Sequence, residues 1–300
     1  MHQELLRMKM SFVAGLLAFL GISCSSQPVP EKAKDKNTLL WEITGKGLKQ
    51  PSYFFGTMHI LCSEDAGISP NFKTVINNVA QVYFEIDMDN MADMFGSMGD
   101  MAMKDGKTLK DFYNEAEYEK VKNWFSKHGQ LPFSMIENYK PMLLSSMVGE
   151  SEMDCPEKAG MEMSIMQLAT KRKIEIKGLE TMSYQAGILD SIPYEEQAKE
   201  LLESIDSVHA QKIMMAKLTA EYKSQNMDSI DLLTTSDEGG VNKYLDIMLY
   251  NRNRNWVKLF TGIASRKSTL FAVGAGHLPG ENGVLNLLKK MGYTVTPLKN

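Results

Sequence analysis

The two stretches that decide the fold are residues 52–59, Ser-Tyr-Phe-Phe-Gly-Thr-Met-His, and residues 269–277, Thr-Leu-Phe-Ala-Val-Gly-Ala-Gly-His. Each is an apolar, strand-like run followed by glycine, two further residues and histidine. Glycine at a strand end lets the chain turn sharply and approach other groups closely, and ligand sites in open α/β sheets lie at the carboxyl ends of strands. We therefore expect both histidines at one crevice, with four cleft-lining candidates: Gly56, Thr57, Gly274 and Gly276.

The two motif histidines, His59 and His277, have two possible chemical roles. Neutral imidazole binds metal ions, and imidazole near its ordinary pKa transfers protons. The alternative for either residue is a hydrogen-bonded packing role, which we assign to His128 and His209. The repeated strand-Gly-x-x-His arrangement favours a functional role for the pair.

Two carboxylates have similar positions, because Glu85 interrupts an apolar strand and Glu180 ends another. A buried ionised carboxylate costs several kcal/mol without a partner. Each is therefore neutral, paired with a cation such as Arg252, or bound to a metal. Arg252 and Asn253 lie in an amphipathic helix, and Arg252 either reaches the crevice to bind a carboxylate or an oxyanion or is simply solvated.

The flanking segments complete an α/β pattern. Residues 39–44 and 52–56 predict a hairpin across a glycine-containing turn, and further strand-like runs are 81–87, 174–179, 269–274 and 293–297. Apolar residues recur at helical spacing in residues 71–80, 115–127, 132–149, 157–172, 194–223 and 241–265. We predict an α/β fold, α+β in looser schemes, with a central mixed sheet, packed helices and a helical insertion.

The amino terminus resembles that of an exported lipoprotein. Basic residues precede the apolar run 12–22, which is shorter than the roughly 20 residues that span a bilayer, and Gly21-Ile22-Ser23-Cys24 is a loose version of the bacterial lipidation sequence. We predict a signal peptide over 1–23, lipidation of Cys24, a flexible tether over 25–37 and one domain over 38–300. The lipid would hold the protein to a membrane at the cell envelope, outside the cytoplasm, on the periplasmic face or the outer membrane; an uncleaved anchor is the alternative.

Charge and cysteine content restrict the partners further. The net charge is −4 and the pI is about 5.8, so no basic field attracts phosphate backbones, and we predict no nucleic-acid partner. Cys62 and Cys155 can form a disulfide in an oxidising compartment. Two separately buried thiols are the alternative.

A methionine stripe also stands out, with side chains three or four residues apart at Met88, Met91, Met94, Met98 and Met101. This spacing places them on one face of a helix. We favour an adaptable apolar face that packs on the core or covers a groove. Copper(I) binding through the thioethers is the alternative.

Several segments, taken in order, resemble the TraB/GumN family, whose relatives include the Tiki proteins, described as metal-dependent peptidases. They are Leu40-Trp41-Glu42-Ile43, residues 51–59, Phe84-Glu85, Gly160-Met161-Glu162, Gly178-Leu179-Glu180-Thr181, Arg252-Asn253 with Trp256, and residues 274–280. The resemblance covers about residues 38–298 and implies an erythromycin-esterase/ChaN-like fold. It also implies one site containing His59, His277, Glu85 and Glu180. Glu162 stands where the family more often has aspartate, so we expect only a supporting role for it, as a helix-surface acid near the cleft.

These patterns and the resemblance predict a metal-dependent hydrolase, with a peptidase implied by the resemblance. A divalent ion such as Mn, Co or Zn would be held by His59, His277 and at least one of Glu85 and Glu180, with the other glutamate as general base. Arg252 and Asn253 would steady the carboxylates or a peptide or small-molecule substrate. The competing hypothesis is a non-catalytic envelope protein that binds a peptide or ligand in the same crevice; metal or haem-iron handling is a third. Metal, substrate and oligomeric state are left open.

Overall fold

A computed structural model describes residues 28–33, 36–151, 153, 155–236 and 242–300 of the protein. The predicted signal peptide, Cys24 and residues 25–27 lie outside the described residues. Within the described ranges, no helix combines the length and the apolar character that crossing a membrane requires.

A six-stranded sheet forms the centre of the domain. In chain order the strands are β1 (Leu40–Thr44), β2 (Ser52–Thr57), β3 (Leu61–Cys62), β4 (Gln81–Ile86), β5 (Lys158–Ala159), β6 (Glu175–Glu180), β7 (Thr269–Gly274) and β8 (Thr294–Leu298). The sheet order is β6-β4-β7-β2-β1-β8, while the short β3 and β5 pair with each other. Strands β2, β4, β6 and β7 run parallel and β1 is antiparallel to both its neighbours, so the sheet is mixed, as predicted. The carboxyl ends of the four parallel strands therefore share one edge.

The β1–β2 hairpin shows how the local sequence produces the fold. Gly45, Lys46 and Gly47 all have positive φ, at 86°, 46° and 80°. Glycine adopts this left-handed region without the clash of a Cβ, so the two glycines allow a tight reversal. Leu40, Trp41 and Ile43 are buried in β1 and every residue of β2 is buried, so the hairpin lies inside the sheet.

Twelve α-helices are described, and they lie between the strands. They are α1 (Pro70–Asn78), α2 (Met91–Gly96), α3 (Glu115–His128), α4 (Phe133–Ile136), α5 (Pro141–Ser151), α6 (Met161–Lys171), α7 (Met182–Leu189), α8 (Tyr194–Asp206), α9 (Val208–Lys223), α10 (Met227–Thr235), α11 (Asn251–Ala264) and α12 (Val284–Lys290). Capping residues fix where several helices begin. The Ser69 side chain accepts the Phe72 N–H at the start of α1, and Asn114 and Glu117 form a capping box at the start of α3.

The apolar core divides into two clusters. The larger one surrounds the sheet, where Phe54, Phe260 and Phe271 pack with ring centroids 4.9–5.9 Å apart. The second lies among α3, α4, α5 and α8, around residues such as Phe125 and Leu201. The helical insertion expected from the sequence is therefore a unit with its own buried core.

Four of the predicted helices differ from the structure. In residues 157–172, Lys158 and Ala159 form β5, and the helix begins only at Met161. The other three are interrupted. Residues 132–149 split into α4 and α5 because Lys140 precedes Pro141, and a residue before proline disfavours helical backbone. Residues 194–223 split at Ser207, whose φ and ψ are −108° and 28°. In residues 241–265, a π-helical turn at Asp246–Tyr250 precedes α11.

The methionine stripe does not form the single helix that its spacing predicts. Residues 91–96 form α2 and Met98–Met101 form a separate 3-10 turn, and neither buries a side chain. Met91 and Met98 are half exposed, whereas Met88 packs against the larger core. The stripe is thus mainly a surface feature.

Residues 28–33 of the predicted tether run beside the domain. The Glu31 N–H donates to Oδ1 of Asn71 at 2.9 Å, and Lys32 forms an isolated bridge with Leu298. The Ala33 N–H donates to the Pro297 carbonyl at 3.0 Å. Flexibility of the tether stays a prediction.

Candidate active site

The carboxyl edge of the parallel strands brings four of the predicted site residues to one place. His59 follows β2 by two residues, and His277 follows β7 by three. Glu85 is next to last in β4 and Glu180 ends β6. The strand register aligns the end of β2 with that of β7, and the end of β4 with that of β6. Parallel pairing is what joins residues more than 200 positions apart in the chain.

Arg252, on the buried face of α11, binds both glutamates. Its Nη2 lies 2.5 Å from Oε2 of Glu85 and 2.9 Å from Oε2 of Glu180, and its Nε donates to the same Glu180 oxygen at 3.0 Å. The three side chains are only 11%, 10% and 6% exposed. The fork of guanidinium donors thus supplies the charge partner that buried carboxylates need.

His277 is held in one orientation by Asn253. Its Nδ1 lies 2.6 Å from Oδ1 of Asn253, and Nδ2 of Asn253 donates to the Asn282 carbonyl at 2.9 Å. That second bond assigns the amide orientation, so Nδ1 of His277 carries the proton and Nε2 carries the lone pair. Nε2 lies 3.7 Å from Oε1 of Glu85 and 3.4 Å from Nη1 of Arg252.

Trp256 packs against both His277 and Arg252. Its ring lies 4.4 Å from the His277 ring and 4.9 Å from the Arg252 guanidinium, measured from the ring centroids. Arg252, Asn253 and Trp256 occupy the same buried face of α11, since positions four apart lie one above the other on a helix. One helix face therefore orients both the cation and the imidazole.

The absence of a side chain at Gly274 leaves room where the site converges. A carbon at its Cβ position would lie 3.2 Å from Oε1 of Glu85, 3.5 Å from Cδ2 of His277 and 3.7 Å from Nε2 of His59. The Gly274 N–H donates to Oε1 of Glu85 at 2.8 Å. Gly274 is thus the floor over which both motif histidines and one glutamate meet.

His59 stands at the mouth of the site, paired with Glu162. Its Nδ1 lies 2.7 Å from Oε1 of Glu162, so Nδ1 faces that carboxylate and Nε2 faces the space above Gly274. The His59 side chain is 66% exposed, whereas that of Glu162 is 9% exposed. The buried carboxylate therefore orients a solvent-accessible imidazole.

The expectation that Glu162 is a surface acid is wrong, because α6 begins directly beneath His59. The Met161 N–H donates to the Met58 carbonyl at 3.1 Å. A Cβ at Gly160 would lie 2.3 Å from the His59 carbonyl oxygen, so only glycine permits this approach. The Gly-Met-Glu sequence therefore brings the acid to the histidine, and Thr57 is buried beside it.

Gln185 is a site residue that sequence analysis missed. Its Nε2 donates to Oε2 of Glu180 at 3.1 Å and to Oε2 of Glu85 at 3.3 Å. It lies in the first turns of α7, which Thr181 caps by accepting the Tyr184 N–H. A signal was present, since α7 begins two residues after Glu180 and its fourth residue returns to the same strand end.

Two of the predicted cleft residues have packing roles in the structure. A Cβ at Gly56 would lie 2.9 Å from a Leu278 methyl carbon and 3.1 Å from the Ala275 Cα, and the Tyr222 hydroxyl donates to its carbonyl at 2.9 Å. A Cβ at Gly276 would meet Thr234 at 2.9 Å. Both glycines permit close packing of the loops behind the site.

Burial and neighbouring charges shift the pKa values of the inner pair. Burial lowers the pKa of His277 to about 3, opposed by Glu85 and assisted by the Arg252 charge, so this imidazole is neutral near pH 7. Burial raises the pKa of Glu85, but its neighbours outweigh this effect and lower the pKa to about 2. These neighbours are His277 when it is protonated, the Arg252 charge and the Gly274 N–H. Glu85 is therefore an anion and a weak base.

The outer pair shifts in the opposite sense. The hydrogen bond with Glu162 raises the pKa of His59 to about 9, although partial desolvation opposes the change. Burial raises the pKa of Glu162, but the hydrogen bond and charge of His59 outweigh this and lower it. Two histidines at one edge thus differ in charge because one is enclosed and the other has a carboxylate partner.

The donor atoms fit a divalent cation in part. Both histidines have Nδ1 occupied by a fixed partner and Nε2 directed inward, the arrangement that usually supports metal ligands. Arg252 occupies the Oε2 atoms of the glutamates, whereas Oε1 of Glu180 is buried and has no hydrogen-bond partner within the described part of the chain. Among the described residues, however, no three His, Cys, Asp or Glu side chains are already arranged to hold a metal ion.

The structure joins Cys62 and Cys155 as a disulfide, with Cα atoms 5.8 Å apart. The bridge closes a segment of 93 residues and lies beside the β3–β5 pairing, in which Cys62 is opposite Lys158. That pairing leads directly into Gly160 and α6. The disulfide thus ties the His59 segment to the segment that carries Glu162.

Comparison with known proteins places this chain in a family. The TraB/PrgY/gumN family model matches residues 39–297. Among curated proteins, the chain is 42% identical over 72 residues to the "Metalloprotease TIKI homolog" of Amphimedon queenslandica, which is 21% of this chain and 14% of that protein. It is 20% identical to "Metalloprotease TIKI1" of Danio rerio, over 87% of this chain and 63% of that protein. The corresponding values for Homo sapiens "Metalloprotease TIKI1" are 20%, 91% and 64%.

The chain therefore spans less than two thirds of the length of these curated relatives. No solved structure matches it. The family match extends over nearly the whole of the described domain and includes both Gly-x-x-His motifs and the segments that carry Glu85, Glu180 and Arg252. The chain belongs to the TraB/PrgY/gumN family.

Proposed function

We propose that this protein is a metal-dependent hydrolase that acts on peptides. The observation that carries the proposal is the meeting of Nε2 of His59, the His277 ring and Oε1 of Glu85 over the Gly274 floor. The similarity to the Tiki metalloproteases supports the same class of reaction. A divalent ion bound there would supply Lewis acidity toward a carbonyl and would acidify a water molecule.

The chain's own residues have separable tasks in this proposal. His277 is the inner ligand, since burial keeps it neutral and Asn253 fixes its Nε2 lone pair. Glu85 is the anionic ligand, because its low pKa makes it a poor proton acceptor. His59 would complete the set from the mouth, where a bound ion would displace the proton from its Nε2 while Glu162 holds Nδ1.

Glu180 is our candidate for the general base. Its Oε1 is buried and has no hydrogen-bond partner among the residues that the structure describes, which leaves the lone pairs of that oxygen available. Arg252 and Gln185 hold the other oxygen, which fixes the direction of the carboxylate. An arginine that binds Oε2 of both glutamates also keeps two like charges together at the bottom of the site.

Metal analysis of purified protein tests the proposal. We expect bound Mn, Co or Zn in the wild-type protein, and at least about tenfold weaker retention in His277→Ala and His59→Ala, together with loss of metal-restored peptide hydrolysis after chelation. His128→Ala is the matched control, because that exposed histidine lies on α3, away from the site. Unchanged metal content and turnover in both site variants would refute the proposal.

A second candidate is a non-catalytic protein that binds a peptide in the same crevice. Two observations favour it: Arg252 already neutralises one of the two carboxylate charges, and its Nη1 lies 3.4 Å from Nε2 of His277. This candidate predicts binding of peptides that is insensitive to chelators and no cleavage with any divalent ion. Product analysis by mass spectrometry separates the two.

The envelope location is also proposed from the sequence. The apolar run before Cys24 and the polar residues after it support lipidation of that cysteine and attachment to a membrane outside the cytoplasm. We expect the wild-type protein to incorporate radiolabelled palmitate and Cys24→Ala to abolish that incorporation. A Cys24→Ala protein that still incorporates the label, or a wild-type protein that never does, would contradict the anchor.

A further inference from the structure

A small apolar recess adjoins the polar cluster. It has a volume of about 220 Å³, and Gln185 and Arg252, which hold the two glutamates, form part of its wall. The remaining lining is apolar: Met101, Leu143, Met182, Ala186, Ile188, Leu189 and Met248. We refer to this cavity as the methionine recess.

The size of the methionine recess limits what can fill it. Pockets that bind whole drug-sized ligands range from about 300 to 1,000 Å³. A cavity of about 220 Å³ is smaller, so it suits one side chain of a longer molecule. The rest of that molecule would lie across the open edge where His59 is exposed.

The lining determines the chemistry of that side chain. Met101, Met182 and Met248 are only partly buried, and flexible thioethers adapt to different apolar shapes. Arg252 is the only charged residue among the described lining, and two carboxylates already bind it, which leaves one net negative charge in the cluster. An acidic side chain would be repelled there, and any charged group would lose its hydration.

We infer that the methionine recess is a specificity subsite that takes a large apolar side chain, such as leucine, methionine or phenylalanine, from the substrate residue beside the scissile bond. The position beside the scissile bond rests on the proposed peptidase function. The recess would select the same side chain in a peptide that is bound without cleavage. The backbone carbonyl of Met248 accepts a hydrogen bond from Nη1 of Arg252 at 3.1 Å. The wall of the recess therefore contacts the same arginine that binds the two glutamates.

The experiment uses one set of labelled peptides that differ at a single position: Gly, Ala, Leu, Met, Phe, Lys or Asp. Binding to the metal-free protein is measured by fluorescence anisotropy, and cleavage is measured separately with added Mn²⁺, Co²⁺ or Zn²⁺. We expect Leu, Met and Phe peptides to bind about tenfold or more tightly than Gly, Lys and Asp peptides, given the gain from burying a large apolar side chain.

Two variants and a control locate the effect. Met182→Trp fills the recess and should abolish the preference for large side chains, whereas Ile188→Ala enlarges it and should shift the preference toward Phe. Met135→Trp makes the same substitution at an exposed methionine outside the recess and should change nothing. Equal binding of all peptides, preference for Lys or Asp, or indifference to both variants would overturn the inference.

The two proposals can fail independently. Apolar preference in binding without cleavage by any metal would refute the hydrolase and leave the subsite standing. Metal-dependent cleavage without side-chain preference would support the hydrolase and refute the subsite.

Discussion

Replacing Arg252 with methionine should destabilise the protein strongly, because it leaves two buried carboxylates without their cation. Glu85 and Glu180 are at most 10% exposed and share the guanidinium at 2.5 and 2.9 Å. Removing one partner of a buried ion pair costs about 3–5 kcal/mol. Since total stability of a domain is about 5–15 kcal/mol, Arg252→Met should lose a large part of it at pH 7.

The pH dependence identifies the cause of that loss. Burial raises the pKa of Glu85, and the Arg252 charge is one of the groups that oppose this, so without Arg252 folding should favour the protonated form of Glu85 more than it does in the wild-type protein. The penalty therefore grows as pH rises from 4.5. Urea unfolding of both proteins should show a smaller difference at pH 4.5 than at pH 7.

Three further variants complete the test. Glu180→Gln added to Arg252→Met removes one uncompensated charge and should restore part of the stability. Arg252→Lys keeps the charge without the fork and should give an intermediate loss. Arg254→Met is the control on the same helix, where an exposed pair with Asp246 should contribute less than about 1 kcal/mol. A loss below about 1 kcal/mol for Arg252→Met, or an equal loss at both pH values, would refute the reasoning.

Three further predictions concern the histidines and the disulfide. Glu162→Gln should lower the pKa of His59 from about 9 toward 6.5 in an NMR titration, and an unchanged value would exclude the pairing. The folded-state pKa of His277 is about 3 and the ordinary value is 6.5, so the free energy of unfolding should fall as pH drops from 6.5 toward 3. Urea unfolding measures this slope. His277→Gln should flatten it, and equal slopes in the two proteins would contradict the prediction. Reducing Cys62–Cys155 should cost about 2–5 kcal/mol and expose two thiols, so thiols already free without reductant would contradict the bridge.

The sheet and the meeting of the motif histidines were predictable, because their signals are local. Buried strands such as residues 269–274 carry continuous apolar runs, and the glycine after each run indicates where the chain turns. Once these strands pair in parallel, their carboxyl ends lie at one edge of the sheet. Predicted strand boundaries agree with the structure to within one residue.

Other features depend on contacts that no local pattern contains. Ser207 interrupts a long helical periodicity because α8 packs into the second core, whereas α9 buries only Tyr222. The burial of Glu162 depends on the backbone contact between Gly160 and His59. Sequence patterns identified the ionisable residues at the shared sheet edge better than the residues that contact them.

The division of the interior into two cores has an evolutionary consequence. Leu143 and Met101 reach the methionine recess from the helical insertion, whereas Arg252 and Met248 reach it from the sheet side. Substitutions in the insertion can therefore reshape the recess while the sheet edge and its ionisable groups remain intact. Under the proposed function, homologues with the same ionisable groups at the sheet edge can therefore differ in the side chain that the recess binds.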